Sequence, residues 1–160
     1  MGIELKVIDG ENYEAVLSLK VTKEQEKFIL SKEEQEKRMD PVVSQLLYAA
    51  FCPGNHPLAI YKDDVMVGFM IYNFQKGKKC GWLNMMMIDE NHQNQGIGKL
   101  AIQKFITLFY ANHEPAPLVT NTEIDNVAAI KLYEHFGFKK SDHMAKYGME
   151  VDNVLMVLEI

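Results

Sequence analysis

The nine residues His92–Leu100, HQNQGIGKL, carry the clearest chemical signal in the chain: two glycines one residue apart, Gly96 and Gly98, followed by Lys99. A glycine turn that runs into a helix binds phosphate by a simple route. The first N–H groups of a helix have no partner inside it and carry a fractional positive charge, and glycine lets an anion approach the backbone. Three phosphate-binding arrangements compete. A P-loop, G-x-x-x-x-G-K-[ST], fails twice, because Gln93 stands at the first glycine position and Leu100 at the hydroxyl position. Gly96-x-Gly98-x-x-Ala101 matches the G-x-G-x-x-A dinucleotide variant. That turn, however, directly follows its strand in a βαβ unit, whereas here a polar insert, ENHQNQ, and an antiparallel run come first. The third arrangement is a longer turn whose N–H groups, continued by a helix N-terminus, hold a pyrophosphate. Its plain alternative is a strand-to-helix turn with no ligand, since glycine punctuates turns generally.

Such a turn needs elements to hold it. IELKVI alternates apolar and polar residues, as a half-buried strand does. GENYEAVLSLKV follows, with Tyr13, Val16, Leu17 and Val21 on one helical face. The segment from Thr22 to Phe51 is rich in helix formers. Pro41 interrupts it and predicts two or three short helices, ended by CPGNHP. Two apolar runs flank Lys62-Asp63-Asp64, a hairpin signal, and after the KGKK turn a third strand runs from Trp82 to Ile88. Asp89 and Glu90 then read as solvated turn residues. The pattern changes to a helix over Gly98–Ala111, a strand in PLVTNTE, a helix over Asn126–Phe136 and a last strand in NVLMVLEI. Gly137 suits the position just past the second of these helices. The fold class expected is α+β, or mixed α/β: one domain, residues 1–160, with a central, mainly antiparallel mixed sheet flanked by helices.

Two motifs in this order carry a family resemblance. Gln93-Asn94-Gln95-Gly96-Ile97-Gly98 resembles the (R/Q)-x-x-G-x-(G/A) signature of the GCN5-related N-acetyltransferases (GNAT). DNVAAIKLYEHFGFKK resembles that family's second signature: an asparagine opening a helix, small residues, a Leu-Tyr pair, then Gly-Phe. The resemblance covers essentially the whole chain. It implies transfer of acetyl from acetyl-CoA, the cosubstrate, to an amine. Gln93 opens the signature, and Asn94, Gln95, Gly96, Ile97, Gly98 and Lys99 would supply the pyrophosphate loop. Met86, Met87 and Ile88 would lie along the pantetheine arm beside a β-bulge, their backbone facing the cosubstrate while alternate side chains pack. Asn126 would cap its helix, bind the cosubstrate, or both. Tyr133 would be the general acid: the expelled thiolate needs a proton, and a phenol with pKa ~10 holds one at neutral pH. Read from the residues alone, Tyr133 could equally pack with Ile130, Leu132 and Phe136.

The stretch Trp82-Leu83-Asn84-Met85 holds no carboxylate, so the resemblance supplies no base there, and an ordered water is expected to carry the amine's proton away. The segment LSLKVTKEQEKFILSKEEQE resembles the acceptor side of the bacterial spermine/spermidine acetyltransferases within the family. Its carboxylates, Glu24, Glu26, Glu33, Glu34 and Glu36, would attract a polycation. Interleaved with Lys23, Lys27, Lys32 and Lys37, they equally read as a solvated helix face.

Composition agrees and excludes little. The apolar share of 48% and charged share of 24% are ordinary for a globular protein. A formal net charge of −5 disfavours nucleic acid and suits a small cationic amine. No apolar run nears the ~20 residues of a membrane span, and the start lacks a secretory pattern, so a cytoplasmic protein without membrane contact is expected. Lys6 stands where a myristoylation motif needs a hydroxyl. Cys52 and Cys80 are expected as buried free thiols, and the scattered histidines predict no metal site. A homodimer is expected from the resemblance. The competing functions are N-acetylation of another amine (an aminoglycoside, an amino acid or a protein N-terminus) and a non-catalytic CoA-binding module.

Overall fold

A computed structural model of the chain describes residues 2–142 and 153–160. The strands are β1 (Ile3–Val7), β2 (Asn55–Lys62), β3 (Val65–Gln75), β4 (Cys80–Ile88), β5 (Leu118–Glu123), β6 (Lys139–Lys140) and β7 (Asn153–Leu158). The helices are α1 (Tyr13–Val16), α2 (Lys23–Ile29), α3 (Lys32–Glu36), α4 (Pro41–Phe51), α5 (Ile97–Asn112) and α6 (Val127–His135). Among the described residues the strands form one sheet in the order β1-β2-β3-β4-β5-β7-β6, antiparallel throughout except for β4 and β5. The mixed, mainly antiparallel sheet expected from the sequence is therefore present.

Each face of the sheet has its own core, because strand side chains alternate. Met70 and Tyr72 of β3 and Leu83 of β4 pack against Ile102, Phe105 and Phe109 of α5 and Ile130 and Tyr133 of α6. On the opposite face Phe69, Ile71 and Met87 meet Val16, Leu19 and the α4 residues Val42 and Ala49. Pro41 ends nothing; it begins α4, where a missing N–H costs no hydrogen bond, and the Asp40 carboxylate caps the helix by accepting from Val43 N at 2.9 Å. Gly81 lets the sheet approach α5 closely, since a Cβ there would lie 2.3 Å from Phe109 Cζ. Gly137 takes φ +88°, the left-handed turn its place after α6 requires.

Several expectations are corrected. The first helix is a single turn, and Tyr13 and Leu17 are exposed while Val16 and Leu19 are buried. The chain is drawn off course just beyond it: Lys20 N donates to Asp89 Oδ2 at 2.8 Å and Lys20 O accepts from Glu90 N at 2.9 Å. Asp89 is consequently buried, not solvated, whereas Glu90 is exposed. Cys80 is buried but Cys52 is exposed. The packed stripe of α4 runs through Val42, Leu46 and Ala49, and Cys52 follows the helix as its C-cap. Strand β2 takes in His56 and Pro57, which the sequence places in a breaker cluster, and the two-residue β6 has no counterpart in the sequence reading.

Candidate active site

Strands β4 and β5 pair only through Gly81–Leu83 and Leu118–Thr120, and then diverge. The Thr120 hydroxyl donates to Leu83 O at 2.9 Å and ties the strands at the apex of the fork. The next residue, Asn84, is a bulge: the β3–β4 register passes from Tyr72↔Leu83 to Ile71↔Met85 and leaves Asn84 without an opposite residue. From Met85 to Ile88 one backbone edge is held by β3 and the other faces the fork. Side chains alternate along this stretch, Met85 and Met87 packing on the α1–α4 face and Met86 and Ile88 on the α5–α6 face. The result is a cleft of about 350 Å³ whose wall includes a bare strand edge.

The open end of the fork is closed by the glycine turn. Asn94 (φ +60°) and Gly96 (φ +75°) are both left-handed, and α5 begins at the very next residue, Ile97. Asparagine and glycine are the residues that adopt this conformation at least cost. Gly96 caps α5 without a side chain, so the first N–H groups of a 16-residue helix meet the cleft uncovered by a cap. Gln93 anchors the turn from below: its Nε2 donates to Ile88 O at 2.8 Å and to Gln25 Oε1 at 2.7 Å, tying β4 to α2. Asp89 supports the same turn. Burial pushes its carboxyl up, but hydrogen bonds from Lys20 N, Asn91 N and the Asn91 amide, with the charge of His92, outweigh that and hold it below the usual carboxylate range.

Helix α6 forms the far wall. The Asn126 side chain caps it, accepting from Ala129 N at 3.3 Å, and Tyr133 follows almost two turns later. Tyr133 is 7% exposed, packs on Phe138 at 5.5 Å between ring centroids, and has the Thr120 hydroxyl as its polar neighbour. Burial pushes its pKa up, and the contact with Thr120 pulls the other way without cancelling it. A protonated phenol thus lies at the fork's apex. Behind the bulge, Asn84 Nδ2 donates to Asn55 Oδ1 at 2.9 Å and Asn73 Nδ2 donates to the same oxygen at 3.1 Å. This amide cluster holds no group that takes up a proton at neutral pH.

Ten of the twelve residues singled out in the sequence line this one cleft: Met86, Met87, Ile88, Gln93, Asn94, Gly96, Ile97, Gly98, Asn126 and Tyr133. Gln95 and Lys99 do not. Gln95 is exposed and accepts from Lys62 Nζ at 2.9 Å, and Lys99 is exposed on α5. None of the five glutamates of the α2–α3 region lines the cleft. Glu34 instead completes the capping box of α3 with Ser31, and Glu33 pairs with Lys37. What α2 contributes is Gln25, Phe28 and Ile29. Sequence reasoning missed these and Thr120. A capping box at Thr22–Gln25 was the available signal for where α2 begins, and hence for which side faces inward.

Comparisons with known proteins agree with this geometry. The model of the acetyltransferase (GNAT) family matches residues 20–138. A spermine/spermidine N(1)-acetyltransferase of Bacillus subtilis (strain 168) is 27% identical over 157 residues, 94% of this chain and 97% of the relative. The N-alpha-acetyltransferase 30 of Xenopus laevis is 33% identical over 86 residues, covering 51% of this chain and 30% of its own length. Among solved structures, the spermidine N-acetyltransferase of Vibrio cholerae, in complex with CoA and spermine, superposes with a TM-score of 0.71 at 14% identity, over 98% of this chain and 94% of that one.

Proposed function

The chain belongs to the acetyltransferase (GNAT) family and is an N-acetyltransferase, and from that premise we propose that it transfers the acetyl group of acetyl-CoA to a primary amine of a polyamine such as spermine or spermidine. The observation that carries the mechanism is the β4–β5 fork, with a glycine turn and helix N-terminus at its open end and a buried phenol at its apex. The pyrophosphate of acetyl-CoA would meet the N–H groups following Asn94 and Gly96, and its amide-bearing arm would pair with the free edge of Met85–Ile88 as an added strand. The thioester would then lie near Tyr133. The amine nitrogen attacks the thioester carbonyl, the C–N bond forms, the C–S bond breaks, the departing thiolate takes the Tyr133 proton, and the second proton that the nitrogen loses as the amide forms returns to the Tyr133 oxygen. The proton that the ammonium sheds before attack leaves through water, because the bulge carries Asn84 where a carboxylate would act as base. Similarity to a spermine/spermidine acetyltransferase along nearly the whole chain supports the polyamine as acceptor. The local similarity to an N-alpha-acetyltransferase favours a protein N-terminus as the second reading.

Incubation with acetyl-CoA and a panel of spermine, spermidine, an aminoglycoside, an amino acid and an N-terminal peptide, with release of free thiol followed, tests the reading. Thiol release with spermine and spermidine is expected. Release with the peptide alone would move the assignment to the second reading. CoA binding without release for any amine would point to a binding module.

A further inference from the structure

One ion pair bridges the two walls of the cleft. Lys27 Nζ, on α2, lies 2.7 Å from Asp125 Oδ2, in the turn before α6. The residues are 98 positions apart in sequence, and each neighbours a cleft-lining residue, Phe28 on one side and Asn126 on the other. The same ammonium sits 4.5 Å from the centroid of the Phe28 ring. A carboxylate and an aromatic face converging on one alkyl ammonium is the recognition chemistry of a primary or secondary amine. Here the ammonium that fills it ends the four-carbon stem of a lysine, which is chemically a butylammonium.

We propose that Asp125 and Phe28 form a subsite for the second, non-reacting ammonium of the acceptor, and that Lys27 occupies it as a placeholder the substrate displaces. This rests on the polyamine reading of the same cleft and deepens it. The pair is suited to exchange. Its side chains are half exposed, 50% for Lys27 and 59% for Asp125, so breaking it strands neither charge in a dry interior. An incoming polyamine replaces one ammonium by another at the same carboxylate and ring, and the released Lys27 turns into solvent. A monoamine has nothing to place there. The subsite therefore contributes to selection between amines and leaves the acetyl-transfer step to the groups at the fork's apex.

The test compares 1,4-diaminobutane and spermidine with butylamine, measuring kcat/KM for each and the KM of acetyl-CoA, in the wild type and in Asp125→Asn, Phe28→Leu and Lys27→Met, with thermal melting to confirm folding. Asp125→Asn is expected to lower the preference for diamine over monoamine about five-fold, the scale of an exposed charge pair. Phe28→Leu lowers it less, and Lys27→Met raises it by vacating the site. If Asp125→Asn and Lys27→Met shift the KM of acetyl-CoA and leave the amine preference unchanged, the pair is a latch over the cosubstrate and the subsite is overturned. If the wild type prefers butylamine to both polyamines, the polyamine reading itself falls. A polyamine-preferring enzyme indifferent to all three substitutions overturns the subsite alone.

Discussion

A phenol that is almost fully enclosed, with its pKa pushed up by burial, holds its proton through the whole neutral range. That is what a group protonating a thiolate needs at the moment the C–S bond breaks; Tyr72 is also buried with a raised pKa, so what supports the proposed acid role of Tyr133 is its place in the cleft beside Thr120. Tyr133→Phe removes one oxygen and leaves the ring against Phe138. The expected result is a fall in kcat of about 100-fold with the KM of acetyl-CoA unchanged, read by thiol release at saturating amine. An unchanged kcat would reduce Tyr133 to packing. In the wild type the rate should rise with pH as the amine loses its proton, and should not fall until the pH exceeds the ordinary phenol range, because burial moves the deprotonation of Tyr133 upward. At this scale the sequence was informative where a residue's own chemistry decides. The glycine turn and the Asn126 cap carry their signal in type and spacing, whereas Tyr133 was set apart from a packed aromatic, and Asn84 from an expected carboxylate, only by the family resemblance. Phe28 and Asp125 were opaque, because a subsite made by one residue of α2 and one from the turn before α6 exists only once the two helices face each other.

The fork is a property of elements, and Gly81 lies at its paired base. Its missing side chain admits Phe109 and Leu118 to the base of β4, where β4 and β5 are still paired. An alanine there would put a methyl group 2.3 Å from the Phe109 ring and 2.7 Å from Leu118 Cδ2, so both must move. Gly81→Ala is expected to destabilise the fold by roughly 1–3 kcal/mol. Urea denaturation measures it, and a weakened affinity for CoA should accompany it because the two walls shift together. The order of elements was legible, since α5, α6 and the meander each show their own period. The length of α1 was not. GENYEAVLSLKV has helical periodicity, but the Lys20 backbone is claimed by Asp89 and Glu90, and a tertiary anchor outweighs local preference over so short a segment. The same anchor explains why Asp89, which reads as a solvated turn residue, is buried.

The two cores respond differently to acid, and the whole molecule should record both. On the α5 face His113 follows α5 as its C-cap, stacked on Phe74 at 5.1 Å and against Phe109 at 4.7 Å, with Nε2 buried and without a hydrogen-bond partner. Burial, with the nearby charge of His56, holds its pKa below the ordinary 6.5. Between that depressed folded value and 6.5 the unfolded chain binds more protons than the native one, so stability is complete above about pH 6.5 and declines as the pH falls. On the opposite face the Asp89 carboxyl, held below its ordinary 3.8, contributes stability that persists above about pH 4 and is lost in stronger acid, when protonation releases Lys20 N and Asn91 N. Acid denaturation followed by circular dichroism with urea at each pH should thus show two separate losses. His113→Phe replaces the imidazole with a ring that does not titrate, and gives up no bond at Nε2. It is expected to flatten the decline just below pH 6.5 and to leave the loss below pH 4 in place, whereas Asp89→Asn lowers stability at neutral pH and shrinks the second step, to which Glu34, held down by Ser44 and Ser31, also contributes. If His113→Phe left the decline below pH 6.5 intact, the proton uptake would belong to another group and the aromatic cluster would be indifferent to charge.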